Sequence, residues 1–171
     1  MKTTHINLFA GPGVGKSTLA AELYVELKKN GIVTELSHEY AKELVYDKNL
    51  DGLKHQDAIF EEQSKRIIRL DGQVQVAIHD SPILLSSVYC SSDKQLGRIN
   101  SAISLCKEHK EINIFLERDE DLYYEVHGRM QNLEEAKELD VKIKELLSEV
   151  ISHYSILIKG AKDSIIELLL H

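Results

Sequence analysis

The stretch "FAGPGVGKSTL", residues 9–19, places three glycines and a proline directly after an apolar run. Glycine adopts positive-φ conformations without steric cost, and it therefore lets successive backbone N–H groups point towards one bound anion. A helical pattern begins near Gly15, so the free N–H groups and the positive dipole end of that helix would face the same anion. The succession of strand, glycine-rich loop and helix predicts a phosphate-binding loop.

This loop follows the Walker A, or P-loop, pattern with one departure. The strict pattern G-x-x-x-x-G-K-[ST] begins with glycine, where this chain has Ala10. Lys16 would reach the β- and γ-phosphates of a nucleotide, and the Ser17 hydroxyl would ligate Mg²⁺. An accidental glycine-rich turn is the alternative, which the strand-loop-helix context disfavours. The residues expected to hold the nucleotide are Gly11, Pro12, Gly13, Val14, Gly15, Lys16, Ser17 and Thr18.

Composition indicates an ordinary globular protein, with 43% hydrophobic and 29% charged residues in a chain of 171. One core is enough for this length, so we expect a single domain over residues 1–171. A net charge of −7 disfavours DNA as a partner, although a local basic cleft stays compatible with it. Cys90 and Cys106 are interpreted as reduced thiols, and the lack of a signal peptide or an apolar span predicts a cytoplasmic protein without a membrane partner.

Apolar runs alternate with helical patterns along the chain, which predicts a parallel sheet covered by helices on both faces. The predicted strands are residues 5–10, 32–36, 74–78, 112–116 and 155–159, and the clearest later helices are 57–70, 94–109 and 133–154. Asn132 and Glu135 have the spacing of a capping box before the last of these helices. Ligands of such sheets bind beyond the carboxyl ends of the strands. The chemistry is therefore expected at residues 11–18, 37–40, 79–82, 117–129 and 159–161.

Two carboxylates follow predicted strands. Asp80 ends the run "VAIHD" and is predicted to be a Walker B residue that holds Mg²⁺ directly or through water; a turn or a helix cap is the alternative. Glu39 follows the second strand, where it could orient or deprotonate an acceptor hydroxyl, or could only favour the dipole of the next helix. Which of the two is the general base stays open.

Tyr40 and Ser81 are the further candidates on the acceptor side. A tyrosine beside Glu39 could stack on the ring of a substrate, although packing at the start of a helix is the simpler alternative. Ser81 directly follows Asp80 and is placed with the substrate-binding residues, although Ser81-Pro82 also suggests a turn. Acceptor specificity would depend on the loops at residues 37–60 and 82–95, whose shape this sequence does not define.

Arg118 and Arg129 flank a segment without clear periodicity, and residues 118–132 are predicted to form a lid. An arginine carried by a closing lid can stabilise the negative charge that spreads over a phosphoryl group during transfer. Surface ion pairs with neighbouring carboxylates are the alternative for both. Gly160 follows the last strand and could leave room for adenine, or could simply precede a helix.

Several of these segments together resemble the small P-loop kinases related to the nicotinamide riboside kinase domain of bacterial NAD regulators, of the kind often encoded by tailed bacteriophages. The resemblance rests on "NLFAGPGVGKSTLAAEL", "EYAKELV", "HDSPILLS" and "FLER". It implies a three-layer P-loop NTPase fold, a sheet order of 2-3-1-4-5, ATP and Mg²⁺ as cosubstrates, and a lid that carries arginine. It also implies the roles named above for Lys16, Ser17, Glu39, Asp80, Arg118 and Arg129.

Three functions are compatible with these features. The first is a kinase that transfers the γ-phosphate of ATP to a hydroxyl of a nucleoside- or nucleotide-like acceptor. The second is a kinase that acts on a hydroxymethylated base, such as 5-hydroxymethyluracil, in phage DNA, which the net charge disfavours. The third is an ATPase switch with water as its acceptor. The oligomeric state stays open.

Overall fold

Five parallel strands form one sheet in the computed structural model, which describes residues 2–119, 124, 131–153, 155–157 and 165–166. The strand order is β2-β3-β1-β4-β5, as the sequence resemblance implied. Parallel pairing joins each neighbouring pair of strands. The strands are β1 Thr4–Phe9, β2 Thr34–Ser37, β3 Val76–His79, β4 Lys110–Leu116 and β5 Ser155–Leu157.

Helices connect the strands and cover the sheet. They are α1 Lys16–Lys29, α2 Tyr40–Tyr46, α3 Gln56–Leu70, α4 Ser92–Cys106 and α5 Leu133–Val150. Two 3-10 helices, Gly52–Lys54 and Ile83–Tyr89, lie within the connections. None of the described helices combines the length and the apolar character that a membrane crossing needs.

Both faces of the central strand are buried, because each packs against its own layer of helices. Ile6 and Leu8 belong to one hydrophobic cluster, with Leu23 and Leu27 of α1. Phe9 belongs to a second cluster that also contains residues of α3, α4, α5 and the second 3-10 helix. The strand is not uniformly apolar, because His5 and Asn7 alternate with Ile6 and Leu8 and are buried on the same face as Phe9.

The predicted strands and the helices named in the sequence analysis are present in the structure, although several of them begin or end at other residues than predicted. The capping box at the start of α5 is confirmed, since Asn132 Oδ1 accepts from the Glu135 amide at 3.0 Å and Glu135 Oε2 accepts from the Asn132 amide at 2.8 Å. The helix predicted over 94–109 instead ends at Cys106, because β4 begins at Lys110. The helix predicted to reach residue 154 ends at Val150.

Part of the predicted lid and the last predicted loop lie outside the described residues. Arg129 and Gly160 are among them, together with residues 120–123, 125–130 and 158–164. Their assigned roles therefore stay predictions. Arg118 and Tyr124, at the start of the lid segment, are described and contact the phosphate-binding loop.

Candidate functional site

The glycine-rich loop leaves the carboxyl end of β1 and turns directly into α1. Gly13 and Gly15 have φ values of 81° and 102°, which side chains rarely adopt. The Lys16 ammonium donates to the carbonyl oxygens of Ala10 at 2.8 Å and Gly11 at 3.1 Å. Two of its three N–H donors therefore hold it against the loop, and one is left for a ligand.

Gly11 corrects the sequence interpretation, because its backbone is not among the positive-φ glycines of the described chain. Glycine is needed at this position because there is no space for a side chain. A Cβ at this position would lie 2.6 Å from Asp140 Oδ1 and 2.7 Å from the carbonyl oxygen of Ala136. The loop therefore needs glycine here for close contact with α5, and at Gly13 and Gly15 for backbone conformation. Ala10 is fully buried in the core, where it fills the first position of the motif.

The Ser17 hydroxyl donates to Asp80 Oδ2 at 2.6 Å. This hydrogen bond joins the first turn of α1 to the end of β3, which lies beside β1 in the sheet. The Asp80 amide in turn donates to the Ser37 carbonyl oxygen at 3.2 Å, so the ends of β2 and β3 are also connected. The structure therefore brings together the two residues that the sequence assigned to Mg²⁺.

Asp80 is suited to a hard cation. Its side chain is buried, and its Oδ1 atom has no hydrogen-bond partner among the described residues. A buried carboxylate oxygen without a partner is costly, and Mg²⁺ prefers carboxylate and hydroxyl oxygens. Ser17 Oγ and the Asp80 carboxylate therefore fit the ion that accompanies a bound nucleoside triphosphate.

Arg118 packs against the outer side of the glycine-rich loop. Its Nε donates to Asp140 Oδ2 at 2.7 Å, and its Nη2 donates to the Pro12 carbonyl oxygen at 2.8 Å. The guanidinium also lies 5.9 Å from the centre of the Tyr124 ring. The described ion-pair partner of Arg118 is thus Asp140, a carboxylate of α5. This arrangement places an ion pair beside the loop.

A cavity of about 730 Å³ opens beside the loop. Lys16, Ser17 and Thr18 line one part of it, and Glu39 and Ser81 line another. Glu39 stands at the N-cap of α2, so its position depends on the end of β2. The acceptor-side candidates therefore share one cavity with the loop.

The profile of one protein family matches residues 5–163 of this chain, and its description is "AAA domain". The chain belongs to the AAA domain family. No curated protein sequence matches it.

Solved structures of kinases share the fold of this AAA domain at low sequence identity. Deoxyadenosine kinase from M. mycoides with bound dATP has a TM-score of 0.57 and 18% identity, over 97% of this chain and 97% of that chain. The same kinase with its products dCMP and a flexible dCDP has a TM-score of 0.53 and 19% identity, over 97% and 96%. APS kinase CysC from Mycobacterium tuberculosis, with AMPPNP and APS, has a TM-score of 0.54 and 12% identity, over 99% of both chains. The AAA domain has the α/β fold of P-loop kinases.

Tyr40 lines the cavity, but its ring is also in contact with a cation. The Arg66 guanidinium lies 4.9 Å from the centre of that ring, and the same arginine donates to both carboxylate oxygens of Glu43 at 2.7 and 2.9 Å. The Glu43 pair raises the pKa of Arg66 further above its usual range. Tyr40 is therefore held in place by its own helix and by α3, which supports the packing alternative.

Gln63 and Asp140 are site residues of the AAA domain that the sequence interpretation missed. The Gln63 side chain accepts from the Tyr40 amide at 3.2 Å and donates to the Ser81 carbonyl oxygen at 3.0 Å, so it holds both acceptor-side loops. Both residues occupy buried helix faces: Gln63 stands between Ile59 and Ile67, and Asp140 between Ala136 and Ile143. A polar residue within an apolar stripe is the signal that would have found them.

Proposed function

We propose that this AAA domain is an ATP- and Mg²⁺-dependent kinase of a nucleoside-like small molecule. The observation that carries the proposal is that Glu39 lines the same cavity as Lys16 and Ser17. A phosphate-binding loop alone would serve an ATPase equally well. A carboxylate in a shared cavity gives an acceptor hydroxyl a place to be oriented.

The walls of the cavity favour an acceptor with a planar ring. Two tyrosine rings and several aliphatic side chains surround the acceptor side; they are Tyr40, Tyr89, Val45, Leu50, Leu53, Ile59 and Leu85. Ligand sites of this size are mainly apolar, with a few polar groups that fix the orientation. A base or pyridine ring would contact these walls, while the sugar hydroxyl would face Glu39.

The proposed transfer forms a bond between the acceptor oxygen and the γ-phosphorus as the bond from that phosphorus to ADP breaks. The acceptor proton passes to Glu39, which we favour as base over Asp80 because the Asp80 carboxylate accepts from Ser17 and is buried. Lys16 and the loop amides hold the phosphates. When bound at Ser17 and Asp80, Mg²⁺ would neutralise charge on the β- and γ-phosphates.

Acceptor-dependent ADP formation tests the proposal. Purified protein with ATP and Mg²⁺ is assayed alone, then with nucleosides, nicotinamide riboside, nucleoside monophosphates and duplex DNA that contains 5-hydroxymethyluracil. We expect one nucleoside-like compound to raise ADP formation at least about tenfold and to yield an equimolar phosphorylated product. Equal turnover with and without every acceptor would overturn the kinase in favour of the ATPase, and stimulation by DNA alone would replace the small-molecule acceptor.

A further inference from the structure

A group of metal-ligating side chains lies at the amino end of the sheet, opposite the phosphate-binding loop. His5 stands at the start of β1, Asp71 directly follows α3, and His109 directly precedes β4. The rings of His5 and His109 stack with their centres 4.0 Å apart. Three different segments of the chain thus bring two imidazoles and a carboxylate to one place.

We propose that His5, Asp71 and His109 bind a divalent transition-metal ion such as Zn²⁺. The His5 Nε2 atom lies 3.4 Å from Asp71 Oδ1, and the His109 Nε2 atom lies 3.9 Å from Asp71 Oδ2. One ligand atom of each residue lies within 4.8 Å of the other two. Two ligands at tetrahedral positions on zinc are about 3.3 Å apart, whereas an N–H···O hydrogen bond spans about 2.7–3.2 Å. The His5–Asp71 separation is close to that of two ligands of one zinc ion, although it is also a long hydrogen bond, and the His109–Asp71 separation is wider. A rotation of the side chains would bring the three ligand atoms around one ion.

His79 supplies the support that a metal-binding histidine needs behind it. A metal-bound imidazole carries its proton on the other ring nitrogen, which usually donates to a neighbouring acceptor. His5 Nδ1 lies 2.9 Å from His79 Nε2, so this acceptor is already in place when His5 Nε2 binds the ion. The His79 ring is fully buried, which holds it in place behind His5.

Burial and access both suit an ion taken up from solution. The His5 and His109 side chains are 1% and 7% exposed, whereas that of Asp71 is 47% exposed and leaves a path to solvent. Mixed imidazole and carboxylate donors with an open fourth position are typical of zinc.

Because the His5 and His109 rings are stacked, binding of an ion requires one of the two rings to rotate. Ring nitrogens bind metals along lone pairs that lie in the ring plane, and two stacked, nearly parallel rings whose centres are 4.0 Å apart do not direct those lone pairs at one ion. One ring must therefore turn. His109 is the ring with that freedom, because its Nδ1 atom has no hydrogen-bond partner among the described residues. Cys106 and Glu111 lie beside His109 in a second group of donor atoms and are the available replacements for water as fourth ligand.

Metal titration of tag-free, chelator-treated protein tests the site. Zn²⁺ is titrated calorimetrically in the presence of excess Mg²⁺, so that the proposed Mg²⁺ site at Ser17 and Asp80 does not take up Zn²⁺. We expect one Zn²⁺ per chain, and at least about tenfold weaker binding in Asp71→Asn and in His109→Gln. Co²⁺ added to the wild type should give the intense visible absorption of a tetrahedral ion. The matched controls are Asp51→Asn and His55→Gln, which alter an exposed Asp–His pair.

Folding of every variant is checked by circular dichroism before titration, so that a lost site is not confused with a lost fold. A wild-type stoichiometry below one Zn²⁺ per chain would overturn the proposed ligands. So would a Zn²⁺ affinity in Asp71→Asn and His109→Gln equal to that of the controls. Two results together would refute the proposed site: a Co²⁺–thiolate charge-transfer band that disappears in Cys106→Ser, and an unchanged metal affinity in Asp71→Asn. They would show that the ion binds the neighbouring group of Cys106, His109 and Glu111 instead. None of these readouts depends on kinase activity.

Discussion

The Asp140 carboxylate on α5 accepts a 2.7 Å hydrogen bond from the Gly11 amide at the start of the phosphate-binding loop. Its other oxygen accepts from Arg118 at 2.7 Å. One side chain therefore connects α5, the loop and the segment that follows β4. The position of Arg118 beside the loop depends on this connection, because a guanidinium without its carboxylate would not stay so close to the Pro12 carbonyl.

Asp140→Ala should lower the free energy of unfolding by about 2–3 kcal/mol, because it leaves the Gly11 amide and the Arg118 guanidinium without their acceptor. Urea unfolding measures this loss. Asp140→Asn, which retains one acceptor oxygen, should lose less. The control Lys137→Ala changes an exposed residue of the same helix and should stay within about 0.5 kcal/mol of wild type. An Asp140→Ala variant as stable as this control would contradict the connection.

Lys16→Ala should reduce kcat/KM for phosphoryl transfer at least about a thousandfold, since the ammonium stabilises charge on the transferred group. The fold should persist, because Lys16 bonds only to two carbonyls of its own loop among the described contacts. Steady-state kinetics and far-UV circular dichroism measure the two effects. Lys29→Ala at the end of α1 is the matched control. Wild-type turnover in Lys16→Ala would place the nucleotide site elsewhere.

Glu39→Gln and Asp80→Asn should separate the base from the metal ligand. Glu39→Gln removes the proton acceptor and should lower kcat about 100- to 10,000-fold with little change in the KM for ATP. Asp80→Asn should instead raise the Mg²⁺ concentration needed for half-maximal activity. Kinetics over a range of Mg²⁺ concentrations distinguish the two. If Asp80→Asn lost kcat at saturating Mg²⁺ while Glu39→Gln kept it, the base would be Asp80.

Gln63→Glu should raise the KM for the acceptor more than the KM for ATP. The carboxylate keeps an oxygen for the Tyr40 amide but replaces the donor that faces the Ser81 carbonyl, so the two acceptor-side loops would separate. Separate titrations of acceptor and ATP provide the comparison. Gln73→Glu, at an exposed position, is the control. Equal changes in both KM values would point to a general loss of structure and not to a positioning role.

The sequence pattern predicted the strands of the sheet and the glycine-rich turn from β1 into α1, because both depend on short-range signals. An apolar run followed by glycines and a helix specifies strand, loop and helix within 25 residues, and the carboxyl-end rule then brings Asp80 to Ser17. The order of strands came from the family resemblance, because periodicity alone does not specify which strands become neighbours.

Contacts between distant segments could not be predicted in this way. Asp140 lies 129 positions from Gly11 in the sequence, and only tertiary packing makes them partners. The same holds for Gln63, whose role depends on where the ends of β2 and β3 meet. Gly11 shows a related limit: its pattern indicated backbone freedom, whereas packing against α5 is the reason for glycine there.

Alanine substitutions at Gly13 and Gly15, with Gly97 of α4 as the reference, should separate steric from conformational requirements in the loop. Gly15→Ala meets open space but has a φ of 102°, so it should cost about 1–2 kcal/mol from backbone strain alone. Gly13→Ala adds a Cβ that would lie 2.6 Å from the Tyr124 ring, and it should cost more. Gly97→Ala, on the exposed face of α4 with open space around it, should stabilise the protein by about 1 kcal/mol.

Measuring Gly13→Ala in a protein that also carries Tyr124→Ala isolates the steric part of its cost in the free energy of unfolding. Removing the ring should bring the cost of Gly13→Ala down to that of Gly15→Ala, because only the strain of a positive φ then remains. Chemical denaturation of the two single variants, the ring variant and the double variant completes the cycle. If the cost of Gly13→Ala did not change without the ring, Tyr124 would not pack on the loop in solution, and the contact between the start of the lid segment and the nucleotide site would be wrong.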